Sequence, residues 1–264
     1  MGSAPGSIKT KKPGFMNTML VLMGSFMFAF LMGEMVHEWG HFLSHRYFGV
    51  QGVSIHLDPF GGSRILGVKS LPLREMGITT AAGPGLNLVA GLLWRVSKPV
   101  ILPLLLWGPV ALIQEGVNLS LGLLSPGSDA QWLVEWGAPG ALLITLGAAF
   151  ILAGTGLISW ILHRIGVLAE TPFLTRFRLL FFGLGFLMIL RAAVSVFKSP
   201  QAALENLPSL VFALILAALI SGLQGAWRKF PEGREVNYQI PSLEVSSLAA
   251  GLGLGILLLQ TIVP

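Results

Sequence analysis

Two histidines and a glutamate stand close together in one stretch of this chain, H-E-W-G-H, at residues 37–41. His37 and His41 are four residues apart, so on a helix both rings project from one face and can bind one ion. Glu38 lies beside that face and can approach the same ion without binding it. The spacing predicts two zinc ligands with a glutamate as general base for a bound water. The alternative interpretation is that these are helix-end histidines at a water interface.

The motif lies in a long apolar stretch, Phe15–Tyr47, that predicts a membrane-spanning helix. Ionisable groups in hydrocarbon are costly unless they pair or bind a metal. Glu34, one turn before Glu38, continues the polar face. It is predicted either to orient a histidine or to line a water-filled cavity. Gly40 predicts the close approach of another backbone, either beside the metal or in a helix-packing contact.

The composition of the whole chain agrees with a membrane protein. Of its 264 residues 53% are hydrophobic and 11% are charged, whereas soluble domains carry about 25% charged residues. The predicted fold class is an all-α polytopic membrane protein with about six to seven transmembrane helices and a small β-hairpin after the first. There is no cysteine, so a metal site must use His, Asp, Glu or backbone oxygen. The net charge of +5 is assigned to loops facing lipid, and nucleic-acid binding is not expected.

Long apolar runs divide the chain into elements. Seven spans are predicted, at residues 15–47, 78–94, 99–124, 137–162, 179–197, 208–227 and 245–263. A re-entrant second segment, which is short and rich in glycine, is the alternative and would leave six crossings. Residues 1–14 are predicted to be a disordered basic tail, residues 15–135 a three-helix core with the zinc site, and residues 136–264 additional helices without an assigned role.

A β-hairpin is predicted between the first two spans. Val53, Ile55 and Leu57 alternate with polar residues, which is strand spacing. A turn signal at residues 58–62 then allows residues 64–68 to return as a second strand. The hairpin is expected at the membrane surface.

A catalytic zinc site usually has three protein ligands, so one more is needed. The chain has two aspartates, and Asp58 lies in the predicted hairpin turn, where a structural role is expected. Asp129 follows the third span, which returns the chain to the side of the membrane where the histidines lie. Pro126 and Gly127 predict a broken helix end that lets Asp129 turn inward. Glu115, within the third span, is the rival ligand.

Three motifs now stand in order: H-E-W-G-H at 37–41, G-P-G-L-N at 83–87 and P-G-S-D-A at 126–130. They resemble the site-2 protease family of intramembrane zinc metalloproteases, which carries HExGH, then GPxxN, then an aspartate in P-x-x-D-G. The resemblance covers about residues 16–135. It implies that His37, His41 and Asp129 bind one zinc ion and that Glu38 activates water.

The same resemblance implies a substrate and a location. The substrate would be a transmembrane helix of another protein, cut within or near the lipid bilayer after local unwinding. The β-hairpin would pair with the extended substrate as an added strand. We expect a multi-pass protein of a prokaryotic cytoplasmic membrane.

The chain also departs from the family pattern. Ala130 stands in place of the family glycine and Ser128 in place of leucine. The family asparagine stands eight residues before the aspartate, where this chain has Leu121, and Asn118 is three positions too early. Asn87 and Asn118 are therefore the two candidates for an oxyanion or substrate contact.

Two other functions stay open on the sequence alone. One is a catalytically inactive, zinc-binding relative that acts as a subunit of a membrane complex, which the altered context of the aspartate favours. The other is a transporter that uses the buried acids and histidines as an ion path. A transporter of this kind predicts symmetry between the two halves of the chain, and the sequence shows no such repeat.

Overall fold

The structure is a computed structural model that describes residues 14–57, 63–67, 71–96, 102–125, 127–166, 168, 171–198, 200–227 and 261–262. In this part of the chain the helices are α1 (Phe15–Tyr47), α2 (Leu73–Val96), α3 (Leu102–Leu121), α4 (Asp129–Glu135), α5 (Gly140–Arg164), α6 (Phe173–Lys198) and α7 (Pro200–Trp227). A 3-10 turn, Gly122–Leu124, follows α3. The strands are β1 (Ser54–His56), β2 (Arg64–Leu66) and β3 (Thr261–Ile262).

Every described helix except α4 is long and apolar enough to cross a membrane. This confirms the polytopic helical fold and the first six predicted spans. Helix α2 is continuous over 24 residues, and a helix needs about 20 to cross a bilayer, which favours a full crossing over a re-entrant loop. Large apolar side chains such as Leu152 and Val211 are exposed on the outside of the bundle, as expected for a surface that faces lipid.

Two predicted elements fall largely outside the described residues. These are the basic tail, of which only Gly14 is described, and the seventh span at 245–263. Within that span, the described residues Thr261 and Ile262 form a strand instead of a helix. Asp58 also lies outside the described part of the chain.

One hydrophobic core joins the helices before and after residue 135. Its fully buried members come from five helices: Leu22 of α1, Leu106 of α3, Ile158 of α5, Leu180 of α6 and Ile220 of α7. Burying a leucine or isoleucine in a close-packed interior is worth roughly 1.5–3 kcal/mol where the alternative is water, and in lipid the gain comes from packing itself. The two predicted segments therefore pack as one bundle.

The predicted β-hairpin is confirmed. Strands β1 and β2 are antiparallel, and Ile55 lies opposite Ile65. Ile55 of β1 and the neighbouring Val53 pack in one hydrophobic cluster with Phe42, near the C-terminal end of α1. Strand β3 pairs with the other edge of β1, where Ile262 lies opposite Ile55. The strand order is β2-β1-β3, so β1 is the central strand.

Candidate metal centre

The two motif histidines meet on the inner face of α1. One helical turn brings the Nε2 atoms of His37 and His41 to 3.0 Å from each other. Their ring centroids are 4.7 Å apart and the rings are nearly perpendicular, at 77°. Two imidazole nitrogens therefore point to one position, as the H-E-x-x-H spacing predicts.

Asp129 reaches the same position from a distant part of the chain. It is the first residue of α4, a short helix that the sequence did not predict. Ser128 caps this helix, because its hydroxyl oxygen accepts a hydrogen bond from the backbone N–H of Gln131. Gly127 has a φ of 76°, a left-handed conformation that suits glycine. This turn points the Asp129 side chain back toward α1.

The aspartate carboxylate lies against both imidazoles. Its Oδ2 is 3.0 Å from Nε2 of His37, and its Oδ1 is 3.4 Å from Nε2 of His41. One ligand atom from each of the three residues lies within 4.8 Å of the others. The prediction that these three residues converge is confirmed, and together they form a group that can hold a metal ion.

The spacing of these atoms fits a small tetrahedral metal. Ligand atoms about 2.0–2.1 Å from a tetrahedral ion lie roughly 3.3 Å from one another, close to the observed 3.0 and 3.4 Å. The Nδ1 of His41 lies 2.8 Å from the backbone carbonyl of Thr79. Because a carbonyl only accepts, this nitrogen carries the proton and Nε2 keeps a lone pair. Two imidazoles and a carboxylate are donors that suit zinc.

The environment of Asp129 favours its charged form. Burial on its own would raise the pKa of this carboxyl group, but the adjacent imidazoles of His37 and His41 hold that pKa well below its usual value. Asp129 is therefore ionised at neutral pH. It supplies the negative charge that a divalent cation needs in a largely apolar surrounding.

Helix α2 packs against the metal-binding face at two glycines. A Cβ on Gly40 would overlap the backbone carbonyl of Ala82, and a Cβ on Gly83 would overlap the ring of His41. The first contact shows that Gly40 admits the backbone of a neighbouring helix, as predicted. The second places the G-P-G-L-N segment directly against a metal ligand.

Glu115 does not join the ligand group, so its prediction as a rival ligand is wrong. Its Oε1 lies 3.0 Å from Nδ1 of His37, on the side of the ring opposite the metal position. The imidazole therefore stands between the Glu115 carboxylate and the metal position.

Asn87 and Asn118 each donate a hydrogen bond to a carboxylate inside the bundle. Asn87 is fully buried, and its amide donates to Glu115 at 2.6 Å. Asn118 donates to Oδ2 of Asp129 at 2.8 Å. In both cases a nearby carboxylate attracts the amide N–H inside the bundle, where an unpaired carboxylate is costly. The oxyanion or substrate contact of these two residues stays a prediction.

Glu34 has a partner that lies far along the chain. Its carboxylate lies 2.5 Å from Nη2 of Arg191 on α6. The guanidinium also lies over the ring of Phe30, 5.3 Å from its centroid. Glu34 thus binds an arginine and not a histidine. The sequence signal for this contact was Arg191, a single arginine in the otherwise apolar predicted span at 179–197, because charges within the membrane usually pair.

Glu38 lies on α1 between the two ligands and is 9% exposed. Its carboxylate has no hydrogen-bond partner among the described residues, in contrast to Glu34, Glu115 and Asp129. The side chains of His37 and Asp129 are 15% and 19% exposed. Glu38 is therefore free to take part in proton transfer beside a position that water can reach.

Comparisons with known protein families, curated proteins and solved structures find no match to this chain.

Proposed function

We propose that this protein is an intramembrane zinc endopeptidase that hydrolyses a peptide bond in a transmembrane segment of another membrane protein. One observation carries the proposal: His37, His41 and Asp129 converge on one metal position, and Glu38 follows the first ligand on the same helix. This is the ligand set and the base that metal-assisted hydrolysis needs. The helices that provide it are apolar enough to cross a membrane, and we place the protein in a prokaryotic cytoplasmic membrane.

Each residue of the site has a distinct role in this proposal. His37, His41 and Asp129 would hold the ion. When bound, zinc lowers the pKa of a coordinated water to about 7 and polarises the substrate carbonyl. Glu38 accepts the proton that the attacking water loses and then donates it to the leaving amine as the C–N bond breaks. The products are a carboxylate and an amine, and no other reactant is consumed.

The site has an accessible side through which water would arrive. Among the three residues the Asp129 side chain is the most exposed, at 19%, against 15% for His37 and 11% for His41. Water would therefore enter along α4. A substrate helix would have to unwind before its peptide carbonyl could reach the ion, because a helical carbonyl is bonded within its own backbone.

The experiment that tests the proposal combines metal analysis with cleavage. The purified protein is reconstituted in liposomes with a labelled single-span peptide that contains a Gly-Pro pair in its apolar segment, and bound zinc is counted in parallel. We expect one zinc ion per chain and cleavage that Glu38→Gln abolishes without loss of zinc. Glu135→Gln, the same change at the exposed end of α4, should leave both properties unchanged. Cleavage by Glu38→Gln at the wild-type rate would contradict the proposal.

A second candidate is a zinc-binding relative without catalytic activity. It is favoured by the contacts of Asn87 and Asn118, whose amides already donate to carboxylates of the chain. Ala130, in place of the family glycine, is completely buried beside Asp129. Wild-type protein that binds one zinc ion and cleaves no single-span peptide would support this candidate.

A further inference from the structure

Glu115 occupies an unusual position for an acidic side chain. It lies in the middle of α3, within a span, and is 2% exposed. A buried carboxylate in an apolar bundle costs several kcal/mol unless donors surround it. Its position is therefore expected to be supported by specific partners, and the structure gives two of them.

Both partners donate to the same oxygen. Nδ2 of Asn87 lies 2.6 Å and Nδ1 of His37 lies 3.0 Å from Oε1 of Glu115. At the other end of the same amide group, Oδ1 of Asn87 lies 3.4 Å from Nε1 of Trp107. Trp107, Asn87, Glu115 and His37 thus form one chain of hydrogen bonds that runs from α3 to α2, returns to α3 and ends on α1.

The direction of this chain follows from its first member. An indole N–H can only donate, so the atom of Asn87 that faces Trp107 is the carbonyl oxygen and the other is the amide nitrogen. That nitrogen donates, so Oε1 of Glu115 accepts. Because a carboxylate only accepts, Nδ1 of His37 carries the proton that points to Oε1. The Nε2 of His37 is left with its lone pair toward the metal position.

We infer that Glu115, oriented by Asn87, is a positioning residue that fixes the tautomer and ring orientation of His37 as a metal ligand. This inference rests on the metal centre of the proposed function. A carboxylate that accepts the outer N–H of a ligating imidazole makes the inner nitrogen a better donor to the ion. Asn87 of the G-P-G-L-N motif thus acts on the metal position through two other side chains, first Glu115 and then His37.

The remaining oxygen of Glu115 supports the same assignment. Oε2 is buried and has no hydrogen-bond partner among the described residues. All the hydrogen bonds of this carboxylate to described residues therefore involve Oε1. A divalent cation on the opposite side of the His37 ring offsets the charge of such a carboxylate. The ion and Glu115 therefore stabilise each other across the ring.

The test is the zinc affinity of the full-length protein in detergent, measured by competition with a chromogenic chelator. Glu115→Gln keeps the size of the side chain and removes its charge, and we expect it to weaken zinc binding about 10-fold. Glu115→Ala should weaken it by up to about 100-fold. Gln114→Ala is the matched control, because Gln114 bonds the α1 backbone at Phe30 and not a ligand. It should bind zinc as the wild type does.

Cobalt provides a second measurement that a purely structural role would not change. The visible absorption of the Co²⁺-loaded protein reports the ligands and their geometry, and it should shift in Glu115→Gln but not in Gln114→Ala. If Glu115→Gln does not fold, Asn87→Ala is measured in its place and should weaken zinc binding several-fold. Wild-type affinity and an unshifted cobalt spectrum in the variant that folds would overturn the inference. Absence of metal from the wild type would instead contradict the proposed function.

Discussion

Oδ2 of Asp129 lies 3.0 Å from Nε2 of His37, although two membrane-spanning helices separate these residues along the chain. The contact joins the short helix α4 to the middle of the bundle. The closest approach of Asp129 to His41 is 3.4 Å, so one carboxylate faces both rings. This relationship turns a pair of histidines into a three-residue group that can hold a metal ion.

Replacement of Asp129 tests the third ligand. Asp129→Asn keeps the shape of the side chain and removes its charge, so zinc should be lost or bound far more weakly than in Glu115→Gln. The measurement is the zinc content of purified protein by atomic emission. Asp58→Asn, the same change at the other aspartate of the chain, should keep its zinc. A full complement of zinc in Asp129→Asn would show that another group is the third ligand.

A single methyl group at Gly83 should disturb the centre from the side of α2. The added Cβ of Gly83→Ala would overlap the His41 ring, so His41 must move and zinc binding should weaken by about 10-fold or more. Gly85→Ala is the control, because a Cβ at Gly85 meets open space. Chelator competition measures both variants. Equal affinities in the two variants would mean that α2 shifts easily and does not constrain His41.

The ion pair between Glu34 and Arg191 should stabilise the fold and should take no direct part in metal binding. Removal of one partner from a largely buried pair costs roughly 3 kcal/mol, so Glu34→Leu should unfold at a lower temperature than the wild type. The double variant Glu34→Leu, Arg191→Leu should recover part of this loss, because no charge is left behind. Thermal unfolding in detergent gives the comparison. A double variant less stable than the sum of both single changes would contradict the pairing.

Metal removal should lower the stability of the whole bundle. An ion that binds only the folded state contributes about 4 kcal/mol when its concentration is a thousand times its dissociation constant. We therefore expect a chelator to lower the unfolding temperature of the wild type and of Glu38→Gln alike. The unfolding temperature of Asp129→Asn should change little when the chelator is added. A chelator response of equal size in Asp129→Asn would mean that the stabilising metal binds elsewhere.

Much of this architecture could be predicted from local patterns. The H-E-x-x-H spacing fixes a two-histidine site on any helix, and the turn at Gly127 made Asp129 the better third ligand. The alternation around Ile55 predicted the hairpin. These features depend on a few neighbouring residues, so the sequence was sufficient to predict them.

The partners of the buried polar groups could not be predicted in the same way. Asn87 was predicted as an oxyanion or substrate contact and Glu115 as a rival metal ligand, but their contact with each other depends on how α2 and α3 pack. Glu34 and Arg191 belong to helices that are far apart in the chain. The carbonyl of Thr79 has no sequence signal at all, because every residue has a backbone. A rule that each charge within a span needs an opposite partner would have suggested only the pair of Glu34 and Arg191.

The bond between Glu34 and Arg191 also bears on how the protein can be dissected. A fragment that ended at residue 135 would contain every metal ligand, yet it would expose the Glu34 carboxylate to lipid tails and remove the packing partners of Leu22. Such a fragment should fail to insert or should aggregate. The helices α5, α6 and α7 therefore supply packing and charge partners for α1, which carries both histidines, and a minimal metal-binding fragment should retain them.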